Sequence, residues 1–211
     1  FRKVHTREPK SRVGFLLGLC FFATALHNGI LGFGTLFFAT SPGALSLVSI
    51  IAYPFLVIFA VLSLYTVYYI FLPHASPYFA IVATLMLGVG GLVASLNDLP
   101  RPFVTIEKGI DWDLNLLFAL AMLYLFLISL SAFLYIFWQL FRRAETREIR
   151  ILSFIITTTA VLGIVNVFVR LVVLHGAPAS VRTTALDIGI GTLGAIFVIG
   201  FIVVPLVRGL I

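Results

Sequence analysis

Six runs of some twenty or more mostly apolar residues follow one another along this chain, at 13–39, 44–72, 79–97, 116–141, 151–174 and 186–207. Nothing else in the sequence constrains the fold as tightly. A hydrocarbon core about 30 Å thick is crossed by roughly 20 residues of helix, and each run has that length. With 61% hydrophobic and only 10% charged residues, against about a quarter charged in soluble domains, the expected class is an all-α integral membrane protein. The domain expectation is a basic tail over 1–12, then a single six-span helix bundle over 13–211. These 211 residues leave no room for a soluble catalytic domain beside six spans, so any chemistry must sit in or next to the membrane.

The breaks between runs carry turn chemistry: Ser41-Pro42-Gly43, Pro73 to Pro77, Pro100 to Pro102 and Gly176 to Pro178. The net charge of +6 would suggest nucleic acid in a soluble protein, but its distribution gives another reading. Arg2, Lys3, Arg7, Lys10 and Arg12, the hairpin residues Arg142, Arg143, Arg147 and Arg150, and Arg208 lie on one side of the expected topology. Arg101, Lys108 and Arg182 lie on the other, with Arg170 inside a span. The positive-inside rule then puts both termini in the cytoplasm of a plasma-membrane protein. Nucleic-acid binding is not needed to explain the charge. The functional surface is expected on the extracytoplasmic side, where 98–115 and 175–185 gather most of the remaining polar residues.

A charged side chain at the centre of a span costs about 2.5–3.5 kcal/mol on insertion scales, so the few intramembrane polar residues need partners. They are His27, Asn28, Asn166, Arg170 and Asp187. His27 is deep enough to be expected as neutral imidazole, as a hydrogen-bonded structural residue before a ligand. Thr159, Gly163, Asn166 and Arg170 are spaced to share one helix face, expected to point into the bundle. Arg170 can snorkel outward or pair with an anionic ligand or with Asp187, whose carboxylate suits a helix amino terminus. His5 and His74 read as surface residues. Glycine patches at 29/32/34, 88/90/91 and 189/191/194 are expected to allow close helix packing. Gly189 to Gly194 has the spacing of a dinucleotide fingerprint, but it follows no strand and lies within a span. The single cysteine, Cys20, excludes an internal disulfide and a multi-thiolate metal site. No HExxH, GxSxG or Walker motif is present, and a bond-making enzyme is not expected.

The order of features resembles the cytochrome c assembly superfamily, specifically its haem-handling membrane subunit, the CcmC-like branch. The resemblance runs over spans two to six. It rests on Trp112-Asp113 just before span four, the basic hairpin at Arg142 to Arg150, Gly163-Ile164-Val165-Asn166 in span five and Leu174-His175 at its outer end. It implies haem at the outer face, with His175 as axial ligand to the iron, Trp112 stacked on the porphyrin and Asp113 fixing the loop or pairing with a donor. Arg170 and Arg182 would pair with propionates. Other membrane subunits, an ABC-type transporter, a haem chaperone and lipid would be the partners. The family's tryptophan-rich loop is reduced here to Trp112, and its His-x-Pro near span two reads Ala52-Tyr53-Pro54. That leaves Tyr53 or His27 as second axial ligand. Two other readings stand beside haem handling in cytochrome c maturation. One is a haem-less structural subunit of a larger membrane complex, for respiration or transport. The other is a six-span sensor or transporter module with a pocket around His27, Arg170 and Asp187.

Overall fold

The computed structural model describes residues 8–104 and 110–169. Span six at 186–207, the end of span five, and Arg170, His175, Arg182 and Asp187 lie outside the described residues. The described chain is almost entirely helical: α1 (Glu8–Phe38), α2 (Pro42–Phe71), α3 (Tyr78–Asn97), α4 (Leu116–Arg143) and α5 (Arg147–Phe168), with strands β1 (Arg101–Val104) and β2 (Ile110–Asp113) between α3 and α4. Within these, Arg12–Phe38, Pro42–Phe71, Tyr78–Asn97, Leu116–Arg143 and Arg147–Phe168 are long and apolar enough to cross a membrane. Their outer surfaces carry large exposed side chains such as Leu36, Phe79 and Met86, as a lipid-facing surface requires.

The helix ends follow from local chemistry. After Phe38 the chain turns on a bond from Ser41 N to Phe38 O of 2.8 Å, and α2 restarts on Pro42, whose fixed φ and missing N–H suit the first helical position. Asn115 opens α4: its side-chain oxygen accepts from Leu117 N at 2.8 Å. Thr146 does the same for α5, accepting from Ile149 N at 3.3 Å. The segment between α3 and α4, read from sequence as a loop, instead pairs into a two-stranded sheet. Its strands are joined by five residues, 105–109, too few for a parallel crossover, so the pair is antiparallel.

The chain divides into two compact units, one holding the residues up to Pro102 together with Trp112–Ser129, the other Phe103–Asp111 and the residues from Leu130 onward. The first unit is built around α2. Cys20, Ala23, His27 and Gly34 form the buried stripe of α1. A side chain on Gly34 would collide with Val48, so α1 and α2 meet there at backbone distance. Gly88 meets Val57 and Gly91 meets Tyr53 in the same way, bringing α3 onto α2. Gly29, Gly32 and Gly90 have nothing within 4 Å of a built Cβ among the described residues.

In the second unit α5 turns Ser153, Thr157, Ala160 and Gly163 inward, with Gly163 against Leu130 and Phe154 against Phe141, ring centroids 5.7 Å apart. Of the face expected from sequence, Gly163 is buried, Thr159 and Asn166 are half-buried, and Arg170 lies outside the described residues.

Candidate functional site

Two places in the first unit gather polar chemistry. The deeper one lies where α1, α2, α3 and the start of α4 converge. His27, 4% exposed, reaches from α1 to α2, its Nδ1 2.9 Å from the carbonyl oxygen of Ala52. A carbonyl only accepts, so Nδ1 carries the proton of this bond and, in the neutral ring, Nε2 keeps the lone pair. The carbonyl has a second lone pair, so Ala52 can accept from His27 as well as within its own helix. Pro54, two residues on, lacks the N–H that would close the helical bond to Ile50, so α2 is braced from outside close to the rung it lacks. The His27 ring sits edge-on to Phe126, with centroids 6.1 Å apart at 71°.

Tyr53 is the largest fully buried side chain in the protein's described part. Its ring packs on Phe118 at 4.9 Å, and its hydroxyl abuts Gly91, where any side chain would strike Tyr53 Oη and Ala121 Cβ. Among the described residues, Tyr53 Oη and Thr157 Oγ1 are the buried side-chain oxygens without a hydrogen-bond partner. The two residues proposed from sequence as alternative second ligands thus occupy one layer, because His27 binds the backbone of the residue before Tyr53. One turn-and-a-half or more toward the other end of α1, Cys20 Sγ lies 3.9 Å from Ser63 Oγ and 4.0 Å from Thr66 Oγ1, a small polar contact that ties α1 to α2 again.

The second place is the end of the unit that carries the hairpin. Ser46, one turn into α2, donates to Pro100 O at 2.5 Å, which fixes the chain leaving α3 against the start of α2. Asp98 accepts from Arg101 Nη2 at 3.2 Å and from Asn115 Nδ2 at 3.4 Å. Asp98 and Asn115 therefore clamp the two ends of the hairpin segment together. Trp112 stands on β2, half-buried, and Asp113 beside it is exposed. Tyr53 lies seven residues beyond Ser46 along α2, a rise of about 10 Å.

Of the residues expected at a haem site, Trp112, Asp113, Tyr53 and His27 are among those described, with Trp112 and Asp113 on β2 and Tyr53 and His27 buried between α1 and α2. His175, Arg170 and Arg182 lie outside the described residues. Among the described residues no three of His, Cys, Asp and Glu come close enough together to hold a metal ion. His74, between α2 and α3, is exposed. The Ser46, Asp98, Arg101 and Asn115 network was not anticipated as a unit. Asn115 directly before an apolar run is a readable helix-start signal, but its pairing with Asp98 across 17 residues is not.

No family model, curated protein or solved structure matches this sequence.

Proposed function

We propose that this chain is a structural subunit of a larger membrane complex, one that works through the faces of its helices and makes or breaks no covalent bond itself. The observation that carries this reading is how the deep polar side chains are used. His27 is committed to the backbone of α2, Tyr53 is closed in by Phe118, Gly91 and Ala121, and Cys20 by Ser63 and Thr66. Side chains that a transport path or a cofactor would need to reach are spent on holding helices together. The exposed surface, by contrast, is rich in large apolar groups, which suits lateral association and lipid.

Haem handling in cytochrome c maturation is the second reading, favoured by Trp112 standing half-buried on a hairpin directly before α4. The described residues do not fit haem iron as a ligand set. Tyr53 has no room for a porphyrin at its hydroxyl, and His27 has one ring nitrogen engaged and a phenylalanine at its ring. Haem binding would thus rest on His175 and on residues outside those described.

Absorption spectra of the detergent-purified full chain and of His175→Ala, with and without haemin, separate the readings. The structural reading expects no Soret band and a fixed ratio to the same partner chains after mild extraction from native membranes. A Soret band lost in His175→Ala would overturn it in favour of haem presentation. A chain that leaves the membrane without constant partners and moves a solute in vesicles would overturn it in favour of a transporter.

A further inference from the structure

The chain changes character within one residue on either side of the α4–α5 turn. Leu116 to Phe141 and Ile151 to Phe168 hold no charged side chain, and between them stand Arg142, Arg143, Arg147 and Arg150 with Glu145 and Glu148. Both helices therefore leave the hydrocarbon here. The turn is also tightly held. α4 ends at Arg143 and α5 begins at Arg147, and Ala144 between them is buried. Thr146 caps α5, its hydroxyl accepting from Ile149 N at 3.3 Å and its carbonyl from Arg150 N at 3.2 Å. The Arg150 guanidinium donates back to Ala144 O at 3.2 Å, so this arginine is spent on closing the turn.

The other three are not spent in that way. Arg142, Arg143 and Arg147 are exposed, and among the described residues no carboxylate pairs with them. A topological signal needs only basic residues within about 15–20 residues of a span end. It does not need an ordered turn that holds three guanidinium groups within six residues of one another, where their like charges repel unless an anion sits among them.

Trp138 gives the depth of these groups. It is exposed, lies one turn before Arg142, about 6 Å away along the axis, and stacks on Phe141 with centroids 5.6 Å apart. Phe141 packs in turn on Phe154 of α5. An exposed tryptophan at the end of a span belongs where acyl chains meet headgroups, so the three guanidinium groups one turn farther out stand at the level of lipid phosphates. A guanidinium offers paired N–H groups to phosphate oxygens. In phosphatidylcholine that phosphate is neutralised by the lipid's own ammonium; in an anionic phospholipid it is not.

We propose that the α4–α5 turn is a binding site for an anionic phospholipid, its phosphate held by Arg142, Arg143 and Arg147 and its acyl chains lying along Trp138. The inference goes beyond the subunit reading and does not depend on it.

The test uses the full chain carrying Trp112→Phe, so that Trp138 is the one emitter, in phosphatidylcholine vesicles. Phosphatidylglycerol with brominated acyl chains, which quench a neighbouring indole, is compared with brominated phosphatidylcholine. Half-maximal quenching is expected at a mole fraction about fivefold lower for the phosphatidylglycerol, the factor for one well-engaged cation at a membrane surface. The triple variant Arg142→Gln, Arg143→Gln, Arg147→Gln should bring the two curves together, and the matching triple lysine variant, which keeps the charge, should hold them apart. All three side chains are exposed, so the variants are expected to unfold in detergent at the parent's midpoint. Arg101→Gln, at an arginine already paired with Asp98, should leave the preference unchanged. Coincident curves for the parent chain, or a preference that survives in the triple glutamine variant, would overturn the proposal and leave the arginines to topology or to an acidic partner chain. Loss of the preference in millimolar glycerol phosphate would also overturn it, by assigning the turn to a soluble phosphate.

Discussion

His27 Nδ1 and the carbonyl oxygen of Ala52 stand 2.9 Å apart across the α1–α2 interface. The bond does two things at once, satisfying an imidazole in a place without water and bracing α2 two residues before Pro54. Replacing His27 by Leu removes the bond and part of a buried side chain. The expected loss is about 1–3 kcal/mol of stability, read as a lower midpoint in detergent thermal unfolding. The exposed Phe22→Leu should leave that midpoint unchanged.

Tyr53 gives the opposite sign for the loss of a polar group. Its hydroxyl is buried without a partner, so Tyr53→Phe removes an uncompensated desolvation cost and is expected to be neutral or stabilising by about 1 kcal/mol. Gly91→Ala drives a methyl into Tyr53 Oη and Ala121 Cβ and should cost about 1–3 kcal/mol. The two changes should not add. Tyr53→Phe opens part of the space that Gly91→Ala needs, so the double variant should be more stable than the sum, measured as a coupling in a double-mutant cycle.

Two other glycines should respond differently to the same substitution. A methyl at Gly88 would meet both methyls of Val57 at 2.8 Å, and a β-branched side chain in a helix has little freedom to turn away. Gly88→Ala is expected to destabilise by about 1–3 kcal/mol. At Gly163 the nearest atom is a terminal methyl of Leu130 at 3.3 Å, which can shift by a few tenths of an ångström. Alanine there gains helix propensity of up to about 1 kcal/mol, so Gly163→Ala should be neutral to mildly stabilising in the same unfolding assay.

The hairpin end offers a local test. Asn115→Ala removes the cap of α4 and the link to Asp98, with an expected cost of about 1 kcal/mol. Ser46→Ala removes the bond to Pro100 O. Both should speed amide exchange in the segment 100–104 and around Trp112 before global stability is lost. The chain has two tryptophans, so in a Trp138→Phe background the emission of Trp112 alone reports on its exposure, and a red shift with stronger quenching is expected in either variant.

The helices from α1 to α4 were legible because hydrocarbon demands long apolar runs and proline-rich breaks end them. Their bounds fall within a few residues of those expected from 13–39, 44–72, 79–97 and 116–141. The hairpin was not legible, since eight strand residues interrupted by a charged connection look like any polar loop. On α5 the expected face is seen in part, with Gly163 buried and Thr159 and Asn166 half-buried. Serine and threonine can satisfy themselves on their own helix, as Thr159 does with Ile155 O at 2.8 Å, so a polar side chain alone does not fix the inward face. That His27 needs a hydrogen-bond partner follows from the cost of burying it. Which carbonyl supplies the partner depends on the α1–α2 register, and no periodicity encodes that. The residues on which a haem site would depend, His175, Arg170 and Arg182, lie outside those described.

The order in which α2 acquires its neighbours has a consequence for biosynthesis. Its contacts with α1, at Gly34, His27 and Cys20, join helices separated by three residues, so they can form as soon as the second span has left the ribosome and entered the bilayer. Tyr53 must wait, because Gly91 and Phe118, which enclose it, are synthesised 38 and 65 residues later. Until α4 is inserted, the nascent chain carries an α1–α2 hairpin with a tyrosine open to lipid, and closing over that side chain is the event that turns a pair of helices into a four-helix unit.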